Sequence, residues 1–277
     1  MINVKNLIRR NISSELFAYL VQNNILFKLV NNSGGGKIDN YSPKEMARYC
    51  KNVYQLYLNH GLELKGRKVL EVGSGRSLGI SLLFVLGGAK KVYAIDRFNC
   101  LSPRDDLVLK HLSPKYEYYM KQIEYITLPI EYLNDKKIGK VDLIVSNAVI
   151  EHVNDIEHTF RNLYSLLSPS GIMIHKVDLR AHNRFLKGGP LYFLKYSNFL
   201  WKMMGNNIGA PNRMRFPDYK DILKKYGFEF KFKIDEYFNL SGVEKARETY
   251  LKGTRFSKMT LHDLSIATFW IVGKLKI

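Results

Sequence analysis

Lys68-Val69-Leu70-Glu71-Val72-Gly73-Ser74-Gly75-Arg76-Ser77-Leu78-Gly79 decides how this chain is read. Apolar residues and one carboxylate run into a glycine turn, and a helix-like apolar pattern follows. This is the form of a parallel strand that hands a ligand to a helix N-terminus. Gly73 and Gly75 let the backbone turn tightly because they carry no side chain. The dinucleotide fingerprint Gly-x-Gly-x-x-Gly would need glycine at position 78, where this chain has Leu78, with Gly79 next. Glu71 stands two residues before the first glycine. A carboxylate there suits a ligand with a cationic group better than it suits a pyrophosphate.

Two further strand-and-turn units lie downstream. Lys91-Val92-Tyr93-Ala94-Ile95-Asp96 reads as a second strand ending in an acid. Val141-Asp142-Leu143-Ile144-Val145-Ser146-Asn147 reads as a fourth strand, followed by the turn Ala148-Val149-Ile150-Glu151-His152-Val153. Taken in order, these motifs resemble the class I S-adenosylmethionine (SAM)-dependent methyltransferases. The Glu-His-Val ending is similar to the branch that holds the ubiquinone and menaquinone methyltransferases. The resemblance covers residues 66–178 well and the C-terminal part more loosely. It implies SAM as cofactor and methyl transfer as activity. It implies that Glu71, Gly73, Ser74 and Gly75 wrap the methionine half of SAM, that Asp96 binds the ribose hydroxyls, and that Asn147 faces the cofactor through its backbone. A third acid near the adenine is a family habit, and Glu131 is the candidate for it.

The remaining pattern fits this fold class. Strands alternate with helical segments, which argues for a parallel sheet with helices on both faces. The expected architecture is α/β: a Rossmann-like, seven-stranded, mostly parallel sheet. An N-terminal helical cap over 1–62 precedes a SAM-binding domain over 63–277. Ser42-Pro43-Lys44-Glu45 is a capping-box helix start, predicting a helix to about Leu58. Asn154-Asp155 should cap a helix that Ser168-Pro169-Ser170-Gly171 ends, with a fifth strand over 172–177. Residues 179–216 break the alternation with Gly188-Gly189-Pro190 and an aromatic stretch from Leu191 to Trp201. They read as a lid insertion. Cys50 and Cys100 form no disulfide framework or paired metal motif, and no secretory leader pattern is visible, so a cytoplasmic location is expected.

The net charge of +18 predicts attraction to something anionic, against a plainer reading as solubilising charge. The excess is concentrated: residues 181–233 hold eleven basic side chains against three acidic ones. An anionic small-molecule or glycan acceptor fits this, and it leaves room for peripheral association with a membrane surface. No nucleic-acid-binding module is visible, so specific nucleic-acid binding is not expected.

Methyl transfer is an in-line displacement, so the protein must align a nucleophile and, for a hydroxyl, remove its proton. Ligands of open parallel sheets lie beyond the carboxyl ends of the strands. The candidates there are His152, Asp178 and His182, expected around one cleft because the turns after strands four and five are neighbours in this sheet order. Each also has a structural reading, as a hydrogen bond that orients a turn or a network that braces the insertion. The run His175 to Asn183 resembles segments of bacterial methyltransferases acting on surface glycans and small metabolites. Arg180, Arg213, Arg215 and Tyr192 are the candidate acceptor-binding residues, with a salt bridge or a lid core as the plain alternative. No metal site is expected. The favoured reading is O-methylation of an anionic sugar-type acceptor. An RNA methyltransferase is the alternative, and an NAD-dependent oxidoreductase or a non-catalytic SAM-binding regulator are more distant ones.

Overall fold

Ser42 opens the first ordered helix as the sequence predicts. Its hydroxyl accepts the Glu45 N–H, the Glu45 carboxylate accepts the Ser42 N–H at 2.8 Å, and Pro43 occupies the first helical position. In the computed structural model the described residues are 41–181, 189–198, 201 and 211–276. The expected N-terminal cap therefore lies largely outside the described residues. The first helix, α1 (Pro43–Leu58), buries Met46, Ala47, Cys50, Val53 and Tyr57, one face at helical spacing.

The chain then alternates. β1 (Lys68–Val72) leads to α2 (Gly79–Leu86), and β2 (Lys91–Asp96) to α3 (Asp105–Leu112) and α4 (Tyr116–Met120). β3 (Ile123–Thr127) precedes α5 (Asp135–Ile138), and β4 (Val141–Asn147) precedes α6 (Ile156–Leu166). β5 (Leu167–Asp178), α7 (Phe216–Lys225), β6 (Phe228–Tyr237), α8 (Leu240–Glu248), α9 (Leu261–Ser265) and β7 (Ile266–Leu275) complete it. The seven strands form one sheet in the order β3-β2-β1-β4-β5-β7-β6. The pairs β1–β2, β1–β4, β2–β3 and β4–β5 are parallel. Between β1 and β4 the strand order reverses, which is where open sheets of this kind bind ligands.

Two local readings need correction. α3 was not foreseen, yet its ends suit the helix dipole, with Asp105 and Asp106 in the first turn and Lys110 and His111 in the last. β5 starts at Leu167 instead of 172. Val141 pairs with Leu167 and Leu143 with Ile172, so the Ser-Pro-Ser-Gly segment is accommodated in a bulge while the ladder continues on both sides.

The chain divides into two compact units. One comprises residues 37–177, 220–233 and 270–277. Its core joins Val53 and Tyr57 of α1, Phe84 of α2, Val69 of β1, Leu143 of β4 and Trp270 of β7. The other takes in residues 178–219 and 234–269, and its core holds Leu191, Phe193, Trp201, Val243, Leu251 and Phe256. The aromatic stretch from Leu191 to Trp201 thus supplies packing in its described part. Among the described residues no helix is long and apolar enough to cross a membrane.

Candidate cofactor site

Gly73, Ser74 and Gly75 follow β1 directly. Gly73 (φ 77°) and Gly75 (φ 65°) are both left-handed, a conformation that disfavours any side chain. The two glycines serve different purposes. A Cβ on Gly73 would stand 2.3 Å from a methyl of Val149, so Gly73 is what lets the turns after β1 and β4 close on each other. A Cβ on Gly75 would meet nothing within 4 Å. The turn is therefore closed below and open above. On the facing turn Ala148 sits at φ 55°, a strained conformation for a residue with a Cβ.

The loop's amide groups are largely spent within the protein. Gly73 and Ser74 N–H both donate to the Ile95 carbonyl, at 2.8 and 3.1 Å. Gly75 N–H donates to Asp96 Oδ2 at 2.9 Å. Leu78 N–H donates to Asp105 Oδ2 at 3.1 Å, and Gly79 N–H to Ser77 Oγ at 3.0 Å. A phosphate-binding loop works by aiming such groups at the anion. Here they are engaged, and three carboxylates surround the loop. The electrostatics disfavour a pyrophosphate and favour a ligand carrying positive charge.

Glu71 is the most perturbed of the three. It is 3% exposed, its Oε2 accepts the Ser81 hydroxyl, and burial pushes its pKa up to about 7. The Ser81 bond opposes that rise, and the charges of Asp96 and Asp105 add to it. Asp96 ends β2 with Oδ1 accepting the Phe98 N–H at 3.1 Å. The loop beyond is fixed by Tyr125, whose hydroxyl donates to Phe98 O at 3.0 Å and accepts Cys100 N–H at 3.4 Å. Burial also raises the pKa of Asp105. The Ser74 hydroxyl is buried and has no partner among the described residues, as expected of a group that waits for a ligand.

Asn147 closes β4, and its Nδ2 donates to the Tyr49 hydroxyl of α1 at 2.9 Å. Burial raises Tyr49 to about 12, so it stays a neutral phenol. Neither Tyr49 nor Ser81 was singled out from the sequence. Ser81 stands ten residues beyond Glu71, inside a continuous apolar run, where only the folded turn shows its partner. Glu131 has a different place from the adenine role considered for it. Its Oε1 accepts the N–H groups of Asn154 and Asp155, so it secures the entry to α6.

His152 ends the short helical turn Ile150–His152 after β4. Its side chain is 23% exposed, and Nε2 lies 4.0 Å from Oε1 of the buried Glu151. His175, in the core at the middle of the β4–β5 ladder, meets Ser146 Oγ at 2.8 Å through Nδ1. Burial pushes it down to about 3, so it is neutral and structural. Asp178 belongs to the other compact unit, and His182 lies outside the described residues. The shared cleft expected of His152, Asp178 and His182 is thus not something the described residues display.

The arginines of the second unit are engaged in bracing. Arg180 grips Asp178 with Nε at 2.8 Å and NH2 at 2.7 Å, and reaches Glu236 with NH1 at 2.9 Å. Arg213 donates to the Tyr196 carbonyl and to Asn198 Oδ1. Arg215 is fully buried and donates to the carbonyls of Leu179 at 2.8 Å and Ile266 at 3.1 Å. Burial lowers both to about 10, so both stay charged at neutral pH. The expectation that Arg213 and Arg215 hold an acceptor anion meets a different geometry: their terminal nitrogens are engaged by main-chain and amide oxygens, with Arg215 Nε buried and without a partner among the described residues. Tyr192 packs edge-on against Tyr250, with the Lys195 ammonium 4.0 Å from its ring centroid. Among the described residues no cluster of His, Cys, Asp and Glu could hold a metal.

Residues 43–231 match the methyltransferase domain family, more than half of the chain, and the chain belongs to that family. The strand order and turn motifs are those of the class I SAM-dependent methyltransferases. A ubiquinone biosynthesis O-methyltransferase from Pelagibacter ubique is 32% identical over 167 residues, 57% of this chain and 63% of that protein. A 51-residue stretch is 37% identical to part of a non-reducing polyketide synthase from Penicillium shearii, 18% of this chain and 2% of that protein. The chain thus spans less than two thirds of these curated relatives. Among solved structures, a Haemonchus contortus phosphoethanolamine N-methyltransferase bound to phosphomonomethylethanolamine and S-adenosylhomocysteine superposes with a TM-score of 0.50 at 16% identity, over 82% of this chain and 53% of that one. That likeness is one of fold.

Proposed function

We propose that this protein transfers the methyl group of SAM to an anionic small-molecule or glycan acceptor, at oxygen. The observation that carries the cofactor half is the β1–α2 loop, whose amide groups are engaged and whose surroundings are carboxylates. SAM brings an ammonium and a sulfonium to such a place, and when bound it supplies an electrophilic methyl group. Asp96 would accept the ribose hydroxyls, Ser74 and Gly75 would line the open side of the turn, and Glu71 would balance positive charge from below.

Oxygen as the methylated atom is supported by the name of the Pelagibacter relative. A hydroxyl must lose its proton as it attacks. His152 is the residue suited to take that proton, because it is partly exposed on the turn after β4 and a buried carboxylate stands beside it to balance the imidazolium. An anionic acceptor is supported by the net charge of +18 and its concentration over residues 181–233. Arg180 and Tyr192 stay acceptor-binding candidates on the sequence reading, Arg180 with its guanidinium held by Asp178 and Glu236. A cytoplasmic location and contact with membrane-borne acceptors go with this reading.

Labelled SAM offered with nucleotide-linked sugars, lipid-linked sugars, phenols and bulk RNA tests it. Label is expected in an anionic sugar-type product, with His152→Ala slowing turnover by about 10²–10⁴-fold at unchanged SAM affinity. Label found in RNA alone, or no SAM binding at all, would refute it.

A further inference from the structure

The N-terminus of α2 has an unusual occupant. The residue that precedes this helix as its N-cap, Leu78, offers no side-chain cap, and the first turn carries no acid of its own. The cap comes instead from 27 residues downstream, where Asp105 at the start of α3 reaches back to accept the Leu78 N–H at 3.1 Å. Asp105 is 8% exposed. The Ser77 hydroxyl also bonds this carboxylate, while Oδ1 is buried without a hydrogen-bond partner among the described residues. A buried carboxylate with one oxygen unpaired is costly. A serine or asparagine at the helix's own start would satisfy the same N–H at lower cost. Folding alone does not call for this arrangement, whereas ligand choice does. A helix N-terminus is where a phosphate binds in the dinucleotide-binding relatives of this turn. Here a protein carboxylate stands in that place.

We propose that Asp105 is a specificity-determining residue: its carboxylate closes the N-terminus of α2 to phosphate, so that the β1–α2 loop admits a cationic cofactor and turns away a pyrophosphate-bearing one. The proposal rests on the SAM reading for the cofactor it favours, and on the structure alone for the anion it rejects. Ser77 supports the arrangement by taking the next amide, so that the N–H groups of the N-cap Leu78 and of Gly79 are both engaged within the protein. Glu71 and Asp96 add negative charge around the same loop. Rejection thus has two parts, an occupied donor and a repelling charge, and the two can be separated.

Asp105→Asn keeps an oxygen for the Leu78 N–H and removes the charge. Asp105→Ala removes both. Titration calorimetry with SAM and with inorganic pyrophosphate, on the full chain, reads the selectivity directly. The native protein should show no competition of pyrophosphate with SAM at millimolar concentration. Asp105→Asn should weaken SAM by about three- to tenfold, the scale of one charge near a helix end. Asp105→Ala should bind pyrophosphate competitively with SAM and lower the SAM-over-pyrophosphate selectivity at least about tenfold. If Asp105→Ala does not fold, Asp105→Asn carries the test through its weaker SAM affinity. Unchanged selectivity in folded variants would overturn the proposal and leave Asp105 as a cap only. Failure of the native protein to bind SAM would refute the cofactor reading instead. The Asp105 assignment would then stand or fall on whether the alanine variant gains pyrophosphate binding.

Discussion

Glu71 should release a proton when SAM binds. Without ligand, burial holds its carboxyl at about 7 against an ordinary 4.5, so at pH 7 roughly half the molecules carry the proton. A cation placed beside it favours the ionised form and returns the pKa toward its ordinary range. Binding at pH 7 should therefore expel about half a proton, and about 0.9 at pH 6. Below pH 7 the apparent SAM affinity should improve by close to tenfold per pH unit, about 1.4 kcal/mol each, and level off above pH 8. The same shift acts on stability with a definite sign. A carboxyl whose folded pKa is raised stabilises the fold fully below about 4.5, and that contribution is lost as pH rises through about 7. The loss amounts to roughly 3 kcal/mol for the ligand-free protein, and saturating SAM should restore much of it. Calorimetry in buffers of different ionisation enthalpy counts the protons. Glu71→Gln should abolish both the proton release and the stability slope. A binding enthalpy that does not depend on the buffer, in a protein that does bind SAM, would refute the reasoning.

Gly73→Ala should cost on the order of 2–4 kcal/mol by denaturant unfolding, from the left-handed backbone and the 2.3 Å approach to Val149, and adding Val149→Ala should recover part of it. Ala148→Gly relieves a strained backbone and should stabilise the protein by roughly 0.5–1 kcal/mol, read as a small rise in Tm. Asp96→Ala should weaken SAM by at least about tenfold in calorimetry, since ribose acceptors and the tether of the Gly75 amide go together. Arg215→Ala should destabilise by about 2–5 kcal/mol, because the Leu179 and Ile266 carbonyls lose their donors in the interior; Arg215→Lys should not rescue it, as an ammonium lacks the fork to span both.

The elements that carry strong local signals were readable in the sequence. The capping box at Ser42 and Glu45 and the strands ending at Asp96 and Asn147 fall at the expected positions. What escaped is set by long-range pairing. The bulge in β5 depends on how Val141 meets Leu167, and a Ser-Pro-Ser-Gly run looks like a turn whether or not a ladder continues through it. Arg213 and Arg215 on a proline-bearing loop looked like anion binders because a guanidinium is usually exposed. Only the fold reveals that Leu179 O and Ile266 O need donors there. Asp105 was passed over because nothing near it in sequence points to Leu78, 27 residues back.

The glycine turn shows why a motif can be read correctly for a reason that is only partly right. Gly73 and Gly75 both looked like residues that let a ligand approach the backbone. Gly75 has the open space for it, but Gly73 is needed by Val149. A strand, a glycine turn and a helix are shared by loops that bind pyrophosphate and loops that bind SAM, so the turn alone does not choose between them. The choice lies in where the amide groups go. When the Ile95 carbonyl, Asp96 and Asp105 take them, the loop has little left to offer an anion and a surplus of negative charge to offer a cation. Two of those acceptors come from the end of β2 and one from the start of α3, outside the motif. The ligand preference of the β1–α2 turn is therefore written in its neighbours, and a change at Asp105 should alter it while every residue of the glycine motif stays the same.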